Sequence, residues 1–273
     1  MKIRSALSKK DVFVLVGCLF FMLAALGSTG RMGRENAKRA VCTGNEGQIL
    51  RGLLNFAIEN EGTMLTATGF WPWDVEYDTT NTLLENMGIN TSRFQLEEGE
   101  YDPIPPQDVF YCPTNYTQTK GRDEYWSFNI YLYGGQIGGY RILGYTFLWA
   151  ASWNNNGTRP ILGLDGNPDP TKKWVKTIFI ENPAETELIV DVLMSERGGP
   201  SGTYDITEYP NGNFGQIRSG GMPGMYGYYD GSSHLKSLKE PYGGNIGFVD
   251  GHVQWRDFKD MANRITQGPM WWW

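Results

Sequence analysis

VFVLVGCLFFMLAALG, residues 12–27, is the most apolar stretch of the chain. It starts at Val12, just after Lys9, Lys10 and Asp11, and no charge follows until Arg31. The uncharged run closes at Gly30 and counts nineteen residues. As an α-helix it is ~28 Å long, against a hydrocarbon core of ~30 Å. That length predicts a single-pass span of the cytoplasmic membrane, touching lipid through residues 12–30, with the rest of the chain in the periplasm or at the cell surface. Two other fates suit the same residues. Ala25 and Gly27 are spaced for a signal-peptide cut, and Leu15-Val16-Gly17-Cys18 has the form of a lipobox. Apolar residues continue past Cys18, where a lipidated chain normally turns polar. Basic residues stand on both sides, at Lys2, Arg4, Lys9 and Lys10 and at Arg31, Arg34, Lys38 and Arg39. The positive-inside rule is therefore almost balanced. An inside N-terminus follows from the shortness of the leader.

A second helical pattern starts almost without a break. From Glu35 to Glu61, Val41, Cys42, Ile49, Leu50, Leu53, Leu54, Phe56, Ala57 and Ile58 keep one apolar face at spacings of three and four. Gly62 is placed to end it in the left-handed conformation. The glycines of residues 28–33 mark a joint where the rod can kink. The organisation expected is a leader and membrane segment over residues 1–33, an amphipathic continuation over 34–62, and a β-rich head over 63–273.

Composition agrees with such a head. The chain has 273 residues with 35 glycines, 14% aromatic and 20% charged residues, and a net charge of -6. That balance suits a loop-rich β structure and gives no electrostatic footprint for nucleic acid. Thr79–Met87 reads as a short helix before Gly88. The prolines of residues 101–113 predict an extended segment. Residues 126–133, 141–150, 174–180 and 187–194 have strand character. Residues 195–240 read as a long elaborated loop, and residues 258–265 as a small helix. In NIGFVDGHVQW, residues 245–255, Asp250-Gly251 stands between two β-type runs, which predicts a two-residue type I′ hairpin.

Several segments together resemble a known family. Arg39-Ala40-Val41-Cys42-Thr43-Gly44-Asn45-Glu46-Gly47-Gln48 resembles the R-x-x-C-x-x-N-L-x-Q stretch of prepilin-like proteins of planctomycete-type bacteria. Phe110-Tyr111-Cys112-Pro113 is similar to their F-x-C-P segment. Asn245, Phe248, Asp250, Gly251 and His252 fit their N-x-x-F-x-D-G-H-V ending, in the so-called H-X9-DG domain. The resemblance implies an α+β, pilin-like fold: a long N-terminal helix, membrane-spanning in its first half, packed on an antiparallel β-rich head with long loops. It implies a structural or assembly subunit of a type II secretion or type IV pilus-like system, with other pilin-like subunits or the secretion machinery as partners. The chain departs from the family at two places. No Gly precedes the expected cleavage point, and no Glu lies between Asp11 and Gly33 to neutralise a neighbouring subunit's amino terminus. The family histidine stands ten residues before the Asp of the DG pair, where this chain has Glu240, and the nearest upstream histidine is His234. The missing Glu favours a minor pseudopilin, or a membrane-tethered relative that never polymerises.

Little in the sequence points to chemistry. His234 and His252 are the only histidines, and no nucleophile elbow, zinc-protease helix or paired-cysteine zinc spacing occurs. No enzymatic activity is expected. Asp165, Asn167 and Asp169 alternate like calcium ligands, but Pro170 and Lys176 stand at the positions that a calcium loop gives to Gly and Glu. Asp191, Asp230 and Asp250 are weaker oxygen donors for the same ion. Calcium is the one cofactor the sequence suggests. Cys42 and Cys112 read either as a disulfide or as two buried thiols. The tryptophans, including Trp271-Trp272-Trp273, read as core or interface. The alternative is a membrane-tethered glycan-binding protein that stacks sugars on these rings.

Overall fold

The computed structural model describes residues 8–65, 72–89, 106–120, 125–126, 131–132, 135–136, 140–149, 174–195, 214–215, 217–218, 229–238, 240–265 and 270–273. Two compact units are present, Met1–Lys38 and Arg39–Trp273. The backbone is helical from Lys9 to Glu59 (α1, 51 residues). Residues 28–33 do not interrupt it.

In the first unit Val12, Phe13, Leu15, Val16, Leu19, Phe20, Phe21 and Met22 are exposed. The membrane-spanning first half and the single-pass localisation expected from sequence are corrected here. Among the described residues no helix is long and apolar enough to cross a membrane.

In the second unit α1 ends as its sequence dictates. Gly62 has a φ of +82°, and its N–H donates to the carbonyl of Ala57 at 2.7 Å. The described elements then follow in order. They begin with β1 (Asp74–Glu76), α2 (Tyr77–Asn86), a 3-10 helix at Pro106–Phe110 and α3 (Tyr116–Lys120). Next come β2 (Tyr131–Leu132), β3 (Gly135–Gln136), β4 (Tyr140–Ile142), β5 (Tyr145–Phe147), β6 (Glu187–Asp191) and β7 (Met194–Ser195). The last strands are β8 (Ile217–Arg218), β9 (Tyr229–Asp230), β10 (Leu235–Ser237), β11 (Glu240–Pro241), β12 (Gly243–Phe248), β13 (Val253–Asp257), β14 (Asn263–Ile265) and β15 (Met270–Trp272). Of residues 101–113, expected to be extended, Pro106–Phe110 form a 3-10 helix, and 101–105 lie outside the described residues. Residues 258–265 give a short turn and β14 rather than a helix, because β14 pairs with the C-terminal β15.

The organising sheet is antiparallel, in the order β13-β12-β6-β5. Successive side chains alternate between its faces. Phe147, Ile189, Gly247 and Val253 form one cross-strand row. Ile49, Leu50, Leu53 and Ala57 of α1 share a buried cluster with Phe147 and Ile189. Gly247 makes this packing close: a Cβ there would lie 2.5 Å from Leu50 Cδ1 and 2.6 Å from Ile189 Cγ2. Thr146, Val190 and Ile246 occupy the alternate positions. Val190 and Ile246 cluster with Trp73, Phe248, Trp271 and Trp273. The terminal tryptophans therefore pack into the head itself.

The hairpin at Asp250-Gly251 forms, but not as type I′. Gly251 has a φ of +92°, while Asp250 is not among the residues with positive φ. Gly251 N–H donates to Phe248 O, and Phe248 N–H donates to His252 O, both at 2.9 Å. These bonds define a three-residue loop, with a tight turn followed by glycine in the left-handed region. The Asp250 carboxylate accepts from the His252 N–H at 3.1 Å and contacts its Nδ1 at 2.6 Å. That contact satisfies Asp250 without a left-handed backbone.

Candidate functional site: a buried polar centre under the N-terminal helix

One row of the central sheet brings buried polar side chains to the face under α1. Tyr145 pairs with Asp191, and Asn245 pairs with Trp255. The Asn245 backbone N–H and Nδ2 donate to Asp191 Oδ2 at 2.7 and 3.0 Å, joining the two pairs into one row. The row lies two residues from Phe147, Ile189, Gly247 and Val253, and so on the face that α1 covers. The part of α1 one to two turns before Ile49 meets it. Thr43 Oγ1 donates to Asn245 Oδ1 at 2.9 Å. The Arg39 guanidinium lies 3.8 Å from the Trp255 ring centroid and 5.1 Å from that of Tyr242. Arg39, Cys42, Thr43 and Glu46 recur at helical spacing, which brings them to one side of α1.

The second wall comes from the segments after the 3-10 helix. Cys112 forms a disulfide with Cys42, with Cα atoms 5.4 Å apart. The Asn45 side chain donates to the Asp108 carbonyl at 3.2 Å, beside this link. His234 closes the centre. Its Nε2 is 3.4 Å from Cys112 Sγ and 3.3 Å from Asp191 Oδ2. Its ring meets Trp255 edge to face at 5.1 Å. Its N–H donates to Thr114 Oγ1 at 2.8 Å. Cys42, Cys112, Asp191 and His234 are all buried, and one ligand atom from each lies within 4.8 Å of the others.

His234 holds its place by an uncommon backbone conformation, with a φ of +52°. The Tyr242 N–H donates to the His234 carbonyl at 2.8 Å. The intervening residues leave as the β10–β11 hairpin. His234 is therefore a backbone neighbour of the strand carrying Asn245, despite their distance in sequence. Spacing alone could not reveal this, because the inserted hairpin shifts the count.

Glu46 is the remaining member. It is 0% exposed, and neither carboxylate oxygen has a hydrogen-bond partner among the described residues. Burial pushes its carboxyl well above the usual carboxylate range, and the charge of Asp191 adds to the rise. The ordinary value is 4.5. Above that pH the folded chain retains a proton that the unfolded chain releases. Stability therefore falls as pH rises from 4.5 toward the raised value, and the cost is absent below 4.5. Glu46→Gln is expected to raise the urea midpoint at neutral pH and to leave it nearly unchanged below pH 4.5. A variant less stable than wild type at neutral pH, with the same pH slope, would contradict this.

The other residues singled out in the sequence fall elsewhere. Asp165, Asn167 and Asp169 lie outside the described residues. Asp230 is the second residue of β9. Asp250 and His252 sit at the hairpin tip, where the His252 ring stacks on Phe248 at 4.3 Å. Partial burial pushes the Asp250 carboxyl up, but hydrogen bonds from the His252 N–H and ring outweigh it and hold the carboxyl below its usual value. Asp191 belongs to the buried centre, among two sulfurs and an imidazole. Calcium takes six to eight oxygen ligands, so that donor set does not suit it. Trp73, Trp126, Trp174 and Trp271–Trp273 are buried, and a sugar-stacking platform needs an open ring face. Trp71 and Trp153 lie outside the described residues.

No family model, no curated protein and no solved structure matches this chain. The centre is thus read from its geometry alone. Residues 39–46, 108–115, 191, 234 and 245 meet at one end of the sheet, and Thr43, Asn45 and Cys42 tie the start of the head helix to Asn245, Asp108 and Cys112.

Proposed function

We propose that the chain is a pilin-like structural subunit whose N-terminal helix is its assembly element. The observation that carries this reading is the exposed apolar surface of α1 between Val12 and Met22, where Phe13, Phe20 and Phe21 are 85, 75 and 78% exposed. Such a surface is costly in water and is relieved when copies pack helix against helix. The later turns of the same helix form the core of the head. That division of one helix into an association half and a core half is what a pilin-like subunit requires.

Two further observations support the reading. The segments that carry the resemblance converge on the buried centre. His234 also stands sixteen positions before Asp250 instead of ten, and the β10–β11 hairpin accounts for most of the excess. The missing Glu between Asp11 and Gly33 points to small assemblies rather than long fibres, since each junction lacks the charge that would match a neighbour's amino terminus.

Cys18 offers a direct test. It is a free, exposed thiol on the apolar stretch. Mild oxidation of the full-length protein is expected to link copies through Cys18. The triple variant Phe13→Ser, Phe20→Ser, Phe21→Ser is expected to lose both the cross-link and the faster sedimentation of wild type. A wild-type chain that sediments as a monomer and does not cross-link would overturn the proposal.

A further inference from the structure

We propose that the buried centre is a zinc site when Cys42 and Cys112 are reduced, with the two thiolates, His234 Nε2 and an Asp191 carboxylate oxygen as its four ligands. The disulfide and the zinc thiolate are then alternative cross-links of the same four residues.

Geometry is the first argument. Structural zinc is four-coordinate and tetrahedral, with bonds of ~2.0–2.3 Å to nitrogen, oxygen and sulfur. The edges of such a tetrahedron are ~3.3–3.8 Å by the same bond lengths. The His234 Nε2 to Cys112 Sγ distance is 3.4 Å and the Nε2 to Asp191 Oδ2 distance is 3.3 Å. Two edges are therefore already set. All four ligand atoms lie within 4.8 Å of one another. Once the bond between the sulfurs is broken they must separate to a tetrahedral edge, and the remaining ligand pairs start from within 4.8 Å.

Charge is the second argument. Asp191 and Glu46 are buried together, and one oxygen of Asp191 and both of Glu46 lack a hydrogen-bond partner among the described residues. The buried charge of Asp191 is unfavourable, and a divalent cation relieves it. Cys42 and Glu46 are one helical turn apart, which places the Glu46 carboxyl beside the ligands. The donor set is the third argument. Two thiolates and an imidazole select zinc over calcium or magnesium. Second contacts hold the ligands in orientation, as zinc sites require. Asn245 donates twice to Asp191, the edge of His234 packs on Trp255, and Thr114 lies 2.8 Å from Cys112 Sγ.

The conversion balances with a named reductant. A trialkylphosphine gives two electrons to the sulfur–sulfur bond and becomes its oxide, taking oxygen from water. The water protons form two thiols, and these protons pass to solvent as zinc binds.

The centre is buried, so the experiment loads it during folding. Full-length chain is unfolded in urea with phosphine and refolded with zinc chloride, then stripped of free metal. Zinc is measured per chain, and the melting temperature is taken with and without metal. One zinc per reduced chain is expected, together with a higher melting temperature. Cobalt in place of zinc is expected to show a thiolate charge-transfer band. The oxidised chain is expected to hold no zinc. His234→Gln and Asp191→Asn are checked for folding in the oxidised state, where they keep the disulfide. In the reduced state each is expected to weaken zinc binding by about 10-fold or more, as loss of a ligand or of its support does. A reduced chain that folds without zinc and holds none overturns the proposal. So does a reduced chain that folds neither with nor without zinc, or zinc binding that both variants leave unchanged. Because the readouts are metal content and folding of the head, failure here leaves the Cys18 cross-linking result untouched.

Discussion

Removing Trp271, Trp272 and Trp273 is expected to leave the head without a cooperative fold. Trp271 and Trp273 are 0 and 1% exposed, and Trp272 is 9% exposed. Trp271 meets Trp73 edge to face at 4.8 Å. Trp273 Nε1 donates to Glu187 Oε2, and Trp272 Nε1 donates to Ser195 Oγ, both at 3.0 Å. Truncating one buried aromatic to Ala costs ~3–5 kcal/mol. Three such losses reach or exceed the ~5–15 kcal/mol that holds a typical domain together. The deletion also removes the strand pairing of β15 with β14 and β7. Urea unfolding of the shortened chain, followed by far-ultraviolet circular dichroism, reads the outcome. A sigmoidal transition at the wild-type midpoint would show that these residues are dispensable.

Loss of the Cys42–Cys112 link is expected to lower stability by about 4 kcal/mol. The bond closes a loop with a sequence separation of 70, and the chain-entropy relation gives about 4.4 kcal/mol for a loop of that size. The measurement compares wild type with Cys42→Ala, Cys112→Ala by urea unfolding under oxidising conditions. An unchanged midpoint would mean that the 3-10 segment is held to α1 by its other contacts, of which the Asn45 to Asp108 hydrogen bond is one. The loss is expected to be smaller in the double variant that also carries Glu46→Gln, because that change removes the buried acid beside the gap. Contacts shared by neighbours are not additive.

Much of the local structure was legible in the sequence. The apolar periodicity of residues 35–61 and the left-handed glycine after it specified the head part of α1. The alternation around Asp250-Gly251 specified β12 and β13. The run of residues 187–194 specified β6, although the strand ends at Asp191 and β7 begins at Met194. Boundaries failed where partners decide them. Residues 258–265 have enough apolar character for a helix, yet β14 forms because the C-terminal strand offers its backbone. The prolines of residues 101–113 exclude a regular helix or central strand but do not choose between an extended segment and the 3-10 helix seen at Pro106–Phe110. The centre itself was half legible. Arg39, Cys42, Cys112 and Asn245 stood out as a pattern, and Asp191 as an oxygen donor. His234 was noted only as the nearest upstream histidine, out of register with the motif, and Glu46 did not stand out, because a helix position facing inward looks ordinary in one dimension.

The sequence by itself determined the elements that depend on neighbours along the chain: the long helix, its end at Gly62, the hairpin at residues 245–255, and the apolar stretch that begins at Val12. Only the tertiary structure decided what those elements do to one another. It brought a carboxylate, an imidazole, two sulfurs and a second buried acid together where the helix meets the sheet, through sheet register, the Cys42–Cys112 link and an excursion of chain between His234 and Tyr242. Register fixes which face a side chain takes, and it is set by strand pairing across many tens of residues. No periodicity within a single segment carries that information.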